Sequence, residues 1–163
     1  MASPFAQPVP SDLPGATRIV NTAEIACPPA RLFEFVTNAA QWHRWHPATH
    51  AVRDVPDRAL VLGETMVEHI KAAHRSFEAT WTVTACEKPA LWRIATATEL
   101  GASIVTYRLL ATPQGGTHFE RTCDFRSEGL WHRLDGTLTR WMLARQAARA
   151  LANLQSLNWL QPA

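Results

Sequence analysis

Ile25-Ala-Cys-Pro-Pro-Ala-Arg-Leu-Phe-Glu-Phe-Val36 decides how the chain begins to fold, and one long apolar-striped segment, 134–159, decides how it ends. The run up to Cys27 is strand-like, and Pro28-Pro29 stops it. Pro29 suits the first turn of a helix, where a missing N–H costs nothing. Leu32, Phe33 and Val36 then recur at helical spacing, predicting a short helix over 30–37. Asn38 can cap a second short helix through Trp45, which Pro47 ends. At the far end Leu138, Trp141, Ala144, Ala148, Leu151 and Leu154 recur at steps of three or four, with Arg140, Arg145 and Arg149 beside them. That stripe predicts a helix long enough to cross a whole sheet.

Between these two segments lie six strand-like runs and no second long helix. They cover 50–55, 65–71, 75–86, 91–99, 103–112 and 117–127. Turn signals separate them: Pro56-Asp57-Arg58, Gly63, Glu87-Lys88-Pro89, Gly101 and Pro113-Gln-Gly-Gly116. Strands joined in sequence by tight turns favour an antiparallel meander over βαβ units. With the strand at 17–27 the sheet has about seven strands. Residues 1–16, with four prolines, read as a flexible leader, and 17–163 as a single domain. A chain of 163 residues fits one core.

A formal charge of +2, with both signs interspersed, lacks the basic footprint of a nucleic-acid binder. Cys27, Cys86 and Cys123 show neither zinc nor redox spacing and read as reduced, buried thiols. The first ten residues form neither a signal peptide nor a membrane span, so a cytoplasmic location without an integral membrane segment is expected.

The order of elements resembles the helix-grip fold of the START-like, or SRPBCC, superfamily, in its polyketide cyclase/dehydrase and lipid-transport branch. The quoted segment is similar to that family's strand end, proline turn and first helix. Trp42-His-Arg-Trp45-His-Pro47 resembles its Trp-containing segment before strand two, Leu62-Gly63-Glu64 its entry to strand three, and Glu87-Lys88-Pro89-Ala-Leu-Trp92 its turn between strands four and five. The resemblance covers residue 17 to the end. It implies an α+β fold: a curved antiparallel sheet of about seven strands wrapped around a long C-terminal helix, with two short helices after strand one. It also implies a cavity between sheet and helix, while leaving the chemistry open.

Strand alternation says which side chains face inward. Phe77, Ala79, Trp81, Val83 and Ala85 share one face; so do Val105, Tyr107 and Leu109, Phe119, Cys123 and Phe125, and Trp92, Ile94, Thr96 and Thr98. The ligand-binding set expected is Trp45, Met66, Glu68, Trp81, Val83, Trp92, Ile94, Tyr107, Phe119, Arg121, Cys123, Trp141, Arg145 and Ala148. The same aromatic residues would equally fill a solid core. Trp42 and Trp45 would plug one end of the cavity or gate it.

Two charges break the inward pattern. Arg121 shares parity with Phe119 and Cys123, and Glu68 with Met66 and Ile70. An unpaired buried charge is costly, so each needs a partner. One reading is a structural ion pair or an outward bulge. The other makes the pair a grip on the polar end of an apolar ligand, with Arg121 holding an oxygen and Glu68 accepting a proton. Tyr107 is a third polar handle. His43, His46 and His50 lack completing ligands for a zinc site and read as exposed, so no metal is expected. His118 and Glu120 fall on the outer face, and His132 lies near the possible mouth. Nucleophile-elbow, Walker A and dinucleotide-binding patterns are missing, and no cofactor is expected.

Three functions follow: binding of a hydrophobic or aromatic small molecule (a lipid, polyketide or quinone-like compound); a polyketide cyclase or dehydratase using Glu68, Arg121 and Tyr107; or a chaperone co-activator-like interaction module. The oligomeric state is not readable from the sequence.

Overall fold

A computed structural model describes residues 10–72, 75–99, 101–127 and 137–157. Strand β1 (Thr17–Ile25) leads into helix α1 (Pro29–Val36), with Pro29 in its first turn. A short 3-10 helix (Ala39–Arg44) follows, capped as expected by the Asn38 side chain, which accepts from the Ala40 N–H at 3.1 Å. Then come β2 (Thr49–Arg53), β3 (Thr65–Ala72), β4 (Arg75–Glu87), β5 (Leu91–Thr98), β6 (Gly101–Ala111) and β7 (Thr117–Ser127). Helix α2 (Thr137–Gln155) closes the order. Residues 134–136, 158 and 159 of the expected helix, and His132, lie outside the described residues.

All seven strands form one antiparallel sheet in the order β1-β7-β6-β5-β4-β3-β2. Helix α2 packs against both β1 and β3, which are separated in that order by β7, β6, β5 and β4. One helix can touch both only if the sheet curls around it, and the curl leaves space over the middle strands. Polar side chains of α2 tie it down: Gln146 donates to the Lys71 carbonyl at 3.2 Å, Asn153 to Trp45 at 3.1 Å and Gln155 to Glu24 at 3.1 Å.

Helix α2 presents a different face to the sheet from the one its stripe predicts. Ala147, Ala150, Leu151 and Leu154 are buried, with Leu143 half-buried above them. Trp141, Arg145 and Ala148 are exposed. Five alanines between 144 and 152 blur the apolar phase, so two stripes sharing Leu151 and Leu154 fit the sequence equally well. The sheet selects the one whose first half holds small side chains. Trp141 stays outside, with the Arg145 guanidinium 5.3 Å above its ring centre.

The core is concentrated under α1 and the 3-10 helix. Leu32, Phe33, Val36, Trp42, Trp45, Trp92, Tyr107 and Phe119 form a contiguous buried cluster there. Trp42 meets Trp92 edge-on, and Trp92 lies beside Tyr107. Two indole N–H groups are satisfied by backbone, Trp42 on the Val36 carbonyl at 2.8 Å and Trp92 on Leu60 at 3.0 Å. Trp42 and Trp45 are thus packed into the core at this end of the inner face, and neither lines the cavity described below. Cys27 is buried, but Cys86 and Cys123 are only half-buried, so the expectation of three buried thiols holds for one. None of the described helices is long and apolar enough to cross a membrane.

Candidate functional site

Under α2, over the part of the inner face that the core leaves free, lies a cavity of about 200 Å³. Its walls are mainly apolar: Ile19, Ile70, Phe77, Ala79, Val105 and Phe125 from the sheet, Leu143 and Ala147 from α2. Thr98, Gly101 and Ser127 line the end at the β5–β6 turn. Gly101 has φ +137°, and a Cβ there would collide with the Arg126 carbonyl oxygen, so the turn needs glycine.

The opposite end is polar. Glu68 points inward from β3, as its parity predicts, and is 4% exposed. One carboxylate oxygen accepts from the Thr49 hydroxyl at 2.5 Å, the other from the Trp81 indole N–H at 2.8 Å. An irregularity between Thr49 and Ala51 in the β2–β3 pairing sets Thr49 opposite Ile70, on the inner face. Burial pushes the Glu68 carboxyl above its ordinary value, against the pull of those two hydrogen bonds and of Arg121.

Arg121 enters from β7, directly across from Tyr107 on β6, and is 8% exposed. Its positive charge pulls on the Tyr107 hydroxyl, and its Nε has no hydrogen-bond partner among the described residues. Burial lifts Tyr107 to about 12 and raises Cys123 as well. Both stay protonated near neutral pH. Arg121 and Glu68 feel each other's charge without forming an ion-pair contact. The structural ion pair, one of the two readings of these charges, is therefore not what the fold builds.

The sequence reading missed His46. The chain turns tightly from His46 to Thr49, whose N–H donates to the His46 carbonyl at 3.1 Å. This tucks the His46 ring into the cavity wall, with Nδ1 3.1 Å from the Thr49 hydroxyl. A signal was present: Pro47 fits the second position of such a turn, which brings its first and fourth residues together. His43 and His50 are exposed, as expected.

Burial, aided by the charge of Arg121, pushes His46 from 6.5 down to about 3. The unfolded chain therefore gains a proton at this residue between these values while the folded chain does not. Stability from this group is complete above pH 6.5 and is lost as pH falls toward 3. At pH 4 the loss is up to ~3 kcal/mol. Glu68 acts in the opposite sense: its raised value costs nothing below 4.5 and costs increasing stability as pH rises from there toward that raised value. Urea midpoints at neutral pH and at pH 4 should therefore differ less in His46→Asn than in the native chain. An unchanged acid slope would assign the lability elsewhere.

Of the expected ligand-binding residues, Glu68, Trp81, Arg121 and Cys123 line the cavity. Trp45, Met66, Val83, Trp92, Ile94, Tyr107 and Phe119 face inward but are packed in the core cluster beside it. Trp141, Arg145 and Ala148 lie on the solvent side of α2, because the helix is rotated relative to the expected stripe.

None of the curated proteins matches the chain. Among solved structures it is similar to the Zhui aromatase/cyclase from a Streptomyces species, with a TM-score of 0.72 and 12% identity over 85% of this chain and 91% of that one. Protein TTHA0849 from Thermus thermophilus gives 0.70 at 12% identity, covering 85% and 94%. Protein Ms6760 from Mycobacterium smegmatis gives 0.63 at 20% identity, covering 93% and 96%. These likenesses establish the helix-grip fold. The family profile described as polyketide cyclase/dehydrase and lipid transport matches residues 16–157, nearly the whole chain. With the sheet, helix and cavity in the places that fold requires, the chain belongs to the polyketide cyclase/dehydrase and lipid transport family of the SRPBCC superfamily.

Proposed function

We propose that the protein binds a small, mostly apolar ring compound in the cavity between sheet and α2, with the ligand's polar end at Arg121. The observation that carries this reading is the buried Arg121 Nε, a donor without a partner among the described residues, at the end of an apolar cavity. A donor left so costs ~1–3 kcal/mol, which a ligand oxygen would recover. The cavity is somewhat larger than the ~150 Å³ that admits benzene, so one or two fused rings fit. The exposed large apolar side chains among the described residues, Val20, Val61, Leu62, Leu110 and Trp141, belong to four different parts of the chain. That favours a cavity ligand over an interaction module.

A second reading, a cyclase or dehydratase, is favoured by Glu68. Its carboxyl is raised by burial and stands near a guanidinium, which suits a base paired with an oxyanion stabiliser. The family description and the aromatase/cyclase neighbour support it.

The test is native mass spectrometry of freshly purified protein, with organic extraction of what is bound. A one-to-one adduct with an apolar ring compound is expected, and its retention should fall about tenfold or more in Arg121→Met. An adduct held equally well by that variant would remove Arg121 from the site and with it the reading's main support.

A further inference from the structure

The polar end of the cavity holds a chain of groups that ligand binding alone does not require. The Thr49 hydroxyl stands between His46 Nδ1, at 3.1 Å, and Glu68 Oε1, at 2.5 Å. A hydroxyl has one proton to give. When it gives that proton to the Glu68 carboxylate, its oxygen accepts from His46 Nδ1–H, and Nε2 is left with a lone pair. When Glu68 carries a proton, every bond reverses: Glu68 donates to Thr49, Thr49 to Nδ1, and Nε2 carries the hydrogen. The tautomer of His46 thus reports the protonation of Glu68. Trp81 donates to the other carboxylate oxygen in both states and holds the group in place. The imidazole does not store charge itself, because burial and Arg121 disfavour its cation.

We infer that His46, Thr49 and Glu68 form a proton relay through which the cavity takes up a phenol or enol and holds it as an oxyanion on Arg121. The ligand O–H gives its proton to His46 Nε2. Nδ1 passes its own to the Thr49 oxygen, and the Thr49 hydroxyl proton moves to Glu68. One proton leaves the ligand and one arrives on Glu68, while the oxyanion accepts from the unpartnered Arg121 Nε. Glu68 is the only carboxylate among the described residues lining the cavity. The other titratable groups lining it are Arg121, Cys123 and Arg126 from β7, and Tyr107 from β6 is packed beside it; burial keeps Cys123 and Tyr107 protonated. β4 and α2 contribute Trp81 and Gln146, which do not titrate. This inference rests on the binding reading above and adds the ligand's class, an ionisable O–H on a small ring system.

The probes are 7-hydroxycoumarin and 2-naphthol, whose phenol and phenolate forms absorb differently, with calorimetry to count binding independently of the spectrum. In neutral buffer, still below each probe's own pKa in water, the bound probe should be shifted toward phenolate by about tenfold or more. Glu68→Gln and Thr49→Val should bind the probe as neutral phenol, and Thr49→Ser should restore the phenolate. A probe bound by the native protein as phenol, or a phenolate spectrum that survives Glu68→Gln, overturns the relay and leaves the cavity reading standing. Absence of saturable binding by either probe overturns both.

Discussion

Ala147→Phe should abolish binding of any ring compound in the cavity, whereas Ala148→Phe, one position along the same helix, should change affinity by less than about twofold. Ala147 is 4% exposed and lines the cavity opposite the sheet. A phenyl ring there resembles the benzene that a ~150 Å³ cavity accepts, and only about 200 Å³ is available. The side chain and a ligand therefore compete for the same space. Because the ring enters an open cavity, the overpacking penalty should stay near the lower end of the ~1–3 kcal/mol seen in filled cores. Ala148 faces solvent, so the same ring meets nothing. Titrating both variants with 7-hydroxycoumarin, beside thermal melts of each, makes the comparison. Equal affinities would mean that α2 is not the cavity wall, and the proposed binding site would fall with it.

Trp92→Ala should be the most damaging single truncation in the described core. The side chain is fully buried, donates to the Leu60 carbonyl at 3.0 Å, and packs against both Trp42 and Tyr107. Its loss opens a cavity among aromatic rings that cannot collapse, and strands the Leu60 carbonyl that ties the connection before β3 to the sheet. Truncations of this kind cost ~3–5 kcal/mol. In a domain of this size each kcal/mol moves the melting temperature by ~2–4 °C, so a fall of roughly 6–20 °C is expected. Trp141→Ala provides the control. That ring is 55% exposed and mainly supports Arg145, so it should change the urea midpoint by no more than ~1 kcal/mol of stability. Comparable losses from the two substitutions would contradict the orientation of α2.

The two experiments divide along the line between what is local in this chain and what is not. Alternation along a strand is set by the direction of each Cα–Cβ bond, so the sequence alone determined that Glu68, Trp81, Tyr107, Phe119 and Arg121 face inward. Proline and glycine placement likewise determined the meander, and Asn38 the cap, whereas the pairing of β1 with β7 came only from the tertiary structure. Whether an inward residue meets a ligand or a neighbour depends on what covers it, and covering is a property of distant segments. Trp92 and Tyr107 are core because α1 and the 3-10 helix pack over them, whereas Arg121 and Glu68 border open space because α2 spans from β1 to β3 above them. The rotation of α2 was undecidable from an alanine-rich stripe that fits two phases, and only contact with the curled sheet chose Ala147 over Ala148. His46 joined the site because a turn through Pro47 and an irregular strand pairing brought it beside Thr49 and Glu68. Periodicity determines the face a side chain points to; the tertiary packing of non-adjacent elements decides what it finds there.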